Sequence, residues 1–312
     1  MKAIIYNKNH KPDHLTLQEI DKPVPLENEV LVKIHAVSVN AADYRSMQLG
    51  MVPKNGIFGS DVAGDVEAVG SQVKSLRVGD AVLGDLSGEG SGGFAEFVAA
   101  PESRLVMKPA TVSYEIAAAV PMAGMTALQA IRDKGQVQSG QKVLIYGSGG
   151  GVGTFAVQLA KYYSAEVTAV CSTKNVPLTL SLGADHVMNY SEVDVLNLDR
   201  KFDVIIVVNG SRRLLHYKTA LSAGGKVVMV GGSFSQILKT MIFGPVLSIG
   251  SKKISLLAAK AVTKDLEFVI KLVAEGKINP VIDRTYPLKE TPDAIKYLKQ
   301  GHAQGKVVIS VL

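Results

Sequence analysis

VLIYGSGGGVGTFAVQLAK, residues 143–161, joins a short apolar run, a glycine cluster and a segment with apolar residues at helical spacing. This order predicts a buried strand, a tight turn and a helix. Two overlapping glycine patterns fit it: GxxGxxG at Gly147, Gly150 and Gly153, and GxGxxA at Gly151, Gly153 and Ala156. Glycines let backbone amides approach a pyrophosphate, and a helix N-terminus offers unpaired N–H groups. The stretch therefore predicts dinucleotide binding, with these candidate residues: Gly147, Gly150, Gly151, Val152 and Gly153.

Composition narrows the class of protein. A chain of 312 residues, 47% of them hydrophobic and 20% charged, predicts a globular protein of about two domains. The net charge of +6 is too mild to indicate a nucleic-acid surface. The lone Cys171 excludes intramolecular disulfides and a cysteine-rich zinc site. Met1 leads into an alternating chain without the pattern of a signal peptide, and the longest apolar tract, 237–257, is interrupted by lysines, glycine and proline. We expect no integral membrane segment and a cytoplasmic protein.

The hydrophobic period changes along the chain. Residues 1–112 read as short strands with glycine turns, which is typical of a small barrel-like domain. From residue 142, apolar strands alternate with helical segments, which predicts a doubly wound parallel sheet. The predicted strands are 143–146, 167–171, 186–189, 203–208, 226–230 and 254–258. The predicted helices are 153–163, 175–182, 211–222 and 263–275. After residue 281 the chain returns to strand, helix and a final strand at 306–311.

Several ordered motifs then identify a family resemblance. They are VSVNAADYRS (37–46), GSDVAGDVEAVG (59–70), LRVGDAV (76–82), GGFAEFV (92–98), AVPMAGMTALQAI (119–131), LGADHVMNY (182–190) and HAQGKVVI (302–309). Together with the glycine stretch they resemble the medium-chain dehydrogenase/reductase superfamily, in its zinc-free quinone oxidoreductase and enone (alkenal) reductase branch. The resemblance implies a GroES-like β-barrel domain, 1–114 completed by 266–312. It also implies an inserted Rossmann domain, 115–265.

Zinc-dependent members of that superfamily differ at the metal site. They carry a Cys where this chain has Asn40, and a His followed by an acid where it has Ser60 and Asp61. No Cys, His or Asp occurs at 120–122, where a third ligand would fall, and the six His residues show no ligand spacing. Catalytic zinc needs three protein ligands, so we expect no metal.

The end of the second Rossmann strand bears on the choice of cofactor. An NAD site has an Asp or Glu there for the ribose hydroxyl, but residues 171–175 contain no carboxylate. The resemblance assigns Ser172, Lys174 and Tyr190 to the 2′-phosphate of NADPH, although quinone reductases often place the lysine where Asn175 stands. It also assigns the Thr126 hydroxyl to the cofactor. The alternatives are a solvated lysine, a packed tyrosine and a threonine bonded to its own helix.

The resemblance implies hydride transfer from NADPH to a quinone or to the C=C bond of an α,β-unsaturated carbonyl. Asn40 and Arg45 are the candidate catalytic residues, as hydrogen-bond donors to the acceptor oxygen. Arg45 favours the enone branch, because quinone reductases carry a tyrosine and alkenal reductases a lysine at that position. A guanidinium does not act as a general acid, so the proton donor is unassigned. The alternatives are Asn40 as a turn residue and Arg45 or Asp43 as a structural ion pair.

The resemblance implies that the apolar tract 233–250 lines a site for a small hydrophobic carbonyl or quinone substrate, or the seam of a homodimer. Peripheral membrane attachment through this tract and Lys252–Lys253 is the alternative. Two rival functions are also open: an NADPH-binding interaction protein with little turnover, and a zinc-dependent alcohol dehydrogenase.

Overall fold

The computed structural model of the protein describes residues 1–7, 15–210 and 212–311, with the backbone alone at residue 234. The chain divides into two structural units. One contains residues 1–122, 261–276 and 280–312, and the other contains 123–260 with 277–279. The sequence predicted these boundaries near 114 and 266. Helix α3 (Pro121–Leu128) spans the first boundary.

The second unit is built on a six-stranded parallel sheet. Its strands, numbered in chain order, are β8 (Lys142–Tyr146), β9 (Glu166–Cys171), β10 (His186–Asn189), β11 (Phe202–Val207), β12 (Leu221–Met229) and β13 (Lys253–Leu256). The sheet order is β10-β9-β8-β11-β12-β13, so the order reverses between β8 and β11. In doubly wound sheets ligands bind at the carboxyl ends of the strands that flank such a reversal. The Rossmann prediction is confirmed.

The strands of this sheet carry a nearly continuous apolar sequence because both faces are covered. Val143, Leu144 and Ile145 of β8 and Ile205 and Ile206 of β11 are fully buried. The helices are α4 (Gly151–Tyr162), α5 (Val176–Ser181), α6 (Leu214–Thr219) and α7 (Phe234–Leu247). Helix α4 buries every residue from Gly153 to Ala160, including the polar Thr154 and Gln158.

The first unit has a mostly antiparallel seven-stranded sheet, which confirms the GroES-like prediction. The strands of the whole unit are β1 (Lys2–Tyr6), β2 (Leu15–Glu19), β3 (Glu29–Val39), β4 (Asp61–Val69), β5 (Ala81–Asp85), β6 (Phe97–Pro101), β7 (Leu105–Met107), β14 (Ile282–Pro287) and β15 (Lys306–Ser310). The sheet runs β14-β15-β3-β4-β5-β7, with β6 also paired to β3, while β1 and β2 pair antiparallel in a separate two-stranded sheet. The helices are α1 (Ala41–Gln48), α2 (Tyr114–Ala119), α8 (Thr263–Ala274) and α9 (Thr291–Lys299).

Strand register in this unit brings three distant segments together. β15 pairs antiparallel with β3 so that Val307 faces Val39, which puts residue 306 beside residue 40. β3 pairs with β4 so that Ser38 faces Asp61. The last residues of β3, the first of β4 and the first of β15 therefore meet at one end of the sheet.

Two helices differ from the sequence prediction. In the NAADYR motif, for which no helix was predicted from the sequence, Asn40 directly follows β3 and is the N-cap residue of helix α1. The tract 233–250, which reads as an unusually apolar segment without an assigned structure, forms helix α7 with Pro245 inside it. Ser233 caps this helix by accepting a hydrogen bond from the Gln236 amide. The helix was not recognisable from the sequence, because apolar residues also occur on its exposed face and remove the helical alternation of apolar and polar residues. These exposed residues are Leu238, Met241, Ile242, Phe243 and Val246.

Candidate functional site

The glycine turn follows β8 and is fixed by neighbouring backbone. Gly147 has φ +93°, a left-handed conformation that favours glycine. The amides of Gly147 and Ser148 both donate to the Val170 carbonyl of β9 at 3.0 Å. A Cβ on Gly153 would stand 2.1 Å from the Gly147 carbonyl oxygen, so helix α4 lies directly against the turn. Gly147 and Gly153 therefore have structural reasons to be glycine.

Gly150 has a different role. A Cβ there would meet no atom of the described chain within 4 Å, so protein packing does not require glycine. Gly150 precedes helix α4, whose first intrahelical bond runs from Thr154 N to Gly150 O. The N–H groups of Gly151, Val152 and Gly153 thus have no partner within the helix, and they lie at the positive end of its dipole. This arrangement fits a pyrophosphate.

The loops after β9 and β10 lie side by side. Tyr190 N donates to Cys171 O at 3.1 Å, and the Asn189 amide donates to the Thr173 hydroxyl at 2.8 Å. Lys174 and the Tyr190 ring are exposed, and Ser172 is half-buried. The three residues predicted to hold a 2′-phosphate are thereby placed on adjacent loops, at the same edge of the sheet as the glycine turn.

Asn175, where quinone reductases often have lysine, is 8% exposed and packs over the glycine turn. A Cβ on Gly149 would stand 2.2 Å from its Nδ2 atom. Thr126 lies in α3 within the same unit and is buried. Cys171 is buried as expected of a core residue, and burial raises the pKa of its thiol.

The first unit holds a buried polar cluster around Asn40. The Asn40 amide nitrogen donates to Asp61 Oδ2 at 2.8 Å, and the Lys306 ammonium donates to Asn40 Oδ1 at 2.5 Å. Ser38 Oγ donates to the same Asp61 oxygen at 2.9 Å, and the Met122 amide donates to Asp61 Oδ1 at 3.0 Å. Asp61 is fully buried and Lys306 is 3% exposed. Asn40 is thus held in a network rather than at a simple turn.

Two further carboxyl groups lie close by. Asp43 accepts hydrogen bonds from the amides of Asn40, at 2.7 Å, and Gly59, at 3.2 Å. Burial raises the pKa of Asp43 to about 7, although these bonds oppose the shift. Burial, with the nearby Asp61 charge, also raises the pKa of Asp85. Asp43 therefore bonds to backbone amides, and among the described residues it forms no ion pair of the kind that the alternative required.

Arg45 lies on α1, five residues after Asn40, and is half-buried. Its guanidinium carbon is 6.0 Å from the centre of the Tyr44 ring. Among the residues that the structure describes, no carboxylate forms an ion pair with it. Its donors thus remain available to a ligand.

The cluster does not suit zinc. The Asp61 carboxyl group already accepts from Ser38, Asn40 and Met122, and the Asp43 carboxyl group accepts from the amides of Asn40 and Gly59. The Lys306 ammonium is 3.5 Å from Asp61 Oδ2, so a divalent cation there would meet a positive charge. Within residues 1–7, 15–210 and 212–311, no three His, Cys, Asp or Glu side chains are grouped to hold a metal. His10 and His14 lie outside the described residues.

Sequence reasoning missed Lys306 and Asp85 as members of this region. Lys306 begins an otherwise apolar run, and a lysine leading a buried strand is unusual enough to have marked it. Asp85 is 5% exposed at the end of β5, opposite Asp61 in the register with β4. No local pattern identifies such long-range partners.

The part of the chain that the structure describes has no helix long and apolar enough to cross a membrane.

Comparison with known families gives matches over both units. Residues 26–110 match the family model of the alcohol dehydrogenase GroES-like domain, and 182–309 match that of zinc-binding dehydrogenase. The chloroplast envelope quinone oxidoreductase homolog of Arabidopsis thaliana is 36% identical over 93% of this chain and 92% of its own length. The 2-methylene-furan-3-one reductase of Solanum lycopersicum is 35% identical over 99% of this chain and 79% of its own.

Solved structures agree with this placement. The quinone oxidoreductase from Coxiella burnetii has a TM-score of 0.91 at 30% identity, covering 100% of this chain and 99% of its own. The relatives include quinone oxidoreductases and an alkenal/one oxidoreductase. The chain therefore belongs to the medium-chain dehydrogenase/reductase superfamily, in its quinone oxidoreductase and alkenal/one reductase branch.

Proposed function

We propose that the protein is an NADPH-dependent, zinc-independent reductase of quinones or of the C=C bond of α,β-unsaturated carbonyls. The observation that carries this proposal is the edge of the parallel sheet. There an open glycine turn and a helix N-terminus lie beside a loop that has Ser172 and Lys174 but no carboxylate. Relatives named as NAD(P)H or NADPH-dependent oxidoreductases support the cofactor class.

Different residues of the second unit would bind different parts of the cofactor. The N–H groups of Gly151, Val152 and Gly153 would bind the pyrophosphate, and Gly150 leaves room for its approach. Ser172, Lys174 and Tyr190 would receive the 2′-phosphate, since a lysine and a hydroxyl attract the charge that an Asp or Glu would repel. Thr126 would contact the cofactor through its hydroxyl.

When bound, NADPH supplies a hydride. Asn40 and Arg45 of the first unit would hold the acceptor oxygen with hydrogen bonds that strengthen as negative charge develops there. Solvent would supply the proton, because neither an amide nor a guanidinium is a general acid at neutral pH. The ammonium beside Asn40 and Asp61 supports a reaction without zinc, and no step requires a Lewis acid.

Steady-state NADPH oxidation with a panel of small enones and quinones tests the activity. We expect an acceptor-dependent rate that a chelator leaves unchanged. An NADPH-binding interaction protein would instead alter cofactor fluorescence without any acceptor-dependent rate. Chelator-sensitive oxidation of alcohols, with one metal ion per chain, would show a zinc-dependent alcohol dehydrogenase.

Lys174→Glu tests the 2′-phosphate assignment. We expect this variant to weaken NADPH binding at least tenfold while NADH binding changes little, because only NADPH carries the phosphate. Lys201→Glu makes the same charge change before β11, at the opposite edge of the sheet, and serves as the control. Equal losses for the two nucleotides would remove Lys174 from the phosphate site.

The exposed apolar surface of helix α7 supports the proposal that the protein forms a homodimer. The helix exposes five large apolar side chains, and β13 ends the six-stranded sheet within the described residues. Exposed apolar patches of this kind mark interaction surfaces. Sedimentation at micromolar concentration should give about twice the monomer mass, and a monomer that binds anionic vesicles would support membrane attachment instead. The cytoplasmic location stays a prediction, since some relatives are named as chloroplastic or mitochondrial.

A further inference from the structure

A buried lysine, Lys306, lies beside the candidate catalytic Asn40. It is the first residue of β15 and is 3% exposed, although a lysine side chain is rarely buried to this extent. The antiparallel register of β15 with β3 sets it next to Asn40, 266 positions away in the sequence. Burying an ammonium group is costly unless its partners compensate for lost water. The identity of those partners indicates what the lysine does.

The shorter contact of Lys306 is to a neutral group. Its Nζ atom is 2.5 Å from Asn40 Oδ1 but 3.5 Å from Asp61 Oδ2. Asp61 is already satisfied by the Ser38 hydroxyl, the Asn40 amide and the Met122 backbone. A lysine that served only to balance the Asp61 charge would make its shortest contact with that carboxyl group, since attraction falls with distance. The geometry instead places the shorter hydrogen bond on the amide oxygen of Asn40.

This contact fixes which way the Asn40 amide faces. Lys306 offers only donors, and Asp61 accepts at the opposite end of the amide. In the reversed orientation the amide NH2 group would face the ammonium and its oxygen would face the carboxyl group, so both contacts would become repulsive. The second Nδ2 hydrogen has only the Ser38 carbonyl oxygen, at 3.5 Å, which is long for a hydrogen bond. One amide hydrogen therefore stays available in a fixed direction.

We propose that Lys306 is a positioning residue for Asn40: it locks the side-chain amide so that one N–H hydrogen is presented to the acceptor oxygen. This inference rests on the proposed reductase function, in which Asn40 stabilises charge on that oxygen. Lys306 touches no reacting atom in this role. Its effect on the rate passes entirely through the orientation of the Asn40 amide.

Two substitutions separate this role from simple charge balance. Lys306→Met removes both the charge and the donor, whereas Lys306→Gln removes the charge but keeps a donor for Asn40 Oδ1. We expect Lys306→Met to lower kcat for enone reduction 10- to 100-fold with a KM change below threefold. The decrease in log kcat caused by Lys306→Gln should be at most two thirds of the decrease caused by Lys306→Met. Equal losses in the two variants would overturn the proposal, because both lose the same charge.

A double-mutant cycle with Asn40→Ala gives the second criterion. If Lys306 acts through Asn40, Lys306→Met should cause no further loss of kcat in the Asn40→Ala background. Losses that multiply would show an independent role and contradict the proposal. Lys33→Met, an exposed lysine of β3, is the matched control and should leave kcat and KM unchanged. NADPH affinity should be the same in all variants.

Side-chain amide NMR gives a readout that does not require turnover. In the wild type, the two Asn40 Nδ2 protons should give separate resonances, and the proton bonded to Asp61 should be protected from solvent exchange. Lys306→Met should remove that protection, and Lys306→Gln should keep part of it. If Lys306→Met does not fold, the Lys306→Gln spectrum decides, and unprotected Asn40 protons there would overturn the proposal. If no acceptor is reduced by the wild type, the reductase function fails, while a wild-type spectrum without protected Asn40 protons would refute the positioning role itself.

Discussion

Replacing Asp43 with asparagine should flatten the pH dependence of stability. Asp43 is 4% exposed, and its pKa is raised from 3.8 to about 7, chiefly by burial. The folded protein therefore holds a proton on this group that the unfolded chain releases. Its contribution to stability is fully present below pH 3.8 and is lost as the pH rises through 7.

The size of the effect follows from these two pKa values. Between pH 5.5 and pH 8.5 the wild type should lose about 2 kcal/mol of unfolding free energy through Asp43 alone. The Asp43→Asn variant lacks this titration. It should also be less stable by a constant amount, roughly 1 kcal/mol, because its single amide oxygen cannot accept from both the Asn40 and Gly59 amides.

Urea unfolding at half-unit steps from pH 5.5 to 8.5 measures this difference. The informative quantity is the free energy of the wild type minus that of Asp43→Asn, which should fall by about 2 kcal/mol across the range. Asp21→Asn, at an exposed aspartate, should give a difference that does not change with pH. If the wild-type and Asp43→Asn curves run parallel, the carboxyl group of Asp43 is ionised throughout and the burial argument is wrong.

Three further substitutions test other parts of the structure. Gly153→Ala should lower the free energy of unfolding by about 3 kcal/mol, because its Cβ would meet a backbone oxygen at 2.1 Å; Gly150→Ala, with no protein atom near its Cβ, should melt like the wild type, and equal melting of both variants would contradict the packing. Gln129→Leu should cost about 2 kcal/mol in urea unfolding, because its amide pairs with both backbone groups of residue 260, at 2.8 and 3.0 Å; a loss below about 0.5 kcal/mol would count against that clamp. Hydrogen bonds from residues 74–76 hold the pKa of Glu102 at about 2 despite its partial burial, so the stability it gives is present above pH 4.5 and lost as the pH falls through 2. The unfolding free energy of Glu102→Gln should therefore change less than that of the wild type between pH 5 and pH 2.5, and identical changes would refute the assignment.

The sequence predicted the Rossmann sheet well because its signals are local. Buried parallel strands such as β8 need apolar residues at every position, and helix α4 repeats its apolar residues with the period of the helix. The predicted strand at 143–146 differs from Lys142–Tyr146 by one residue. Helix α7 was not predicted as a helix, because its exposed apolar residues obscure the periodicity that marks an amphipathic helix.

The sequence predicted the glycine turn, but it did not predict the physical role of each glycine in it. The sequence marked Gly147, Gly150 and Gly153 as one motif, since all three stand between a strand and a helix. Their different physical tasks emerge only from the fold: a left-handed φ at Gly147, open space at Gly150 and close backbone contact at Gly153. A pattern of residue types identifies a turn, but it does not identify which constraint acts at each position.

By itself the sequence determined the family and the two kinds of domain, and it predicted a dinucleotide-binding region, because these depend on neighbouring residues. The tertiary structure alone decided the surroundings of Asn40. Its partners Asp61 and Lys306 come from strands that are distant in sequence and meet through β-sheet register. Pairing between distant strands leaves no periodic trace in the chain, so the buried ammonium beside the candidate catalytic amide is visible only in the folded protein.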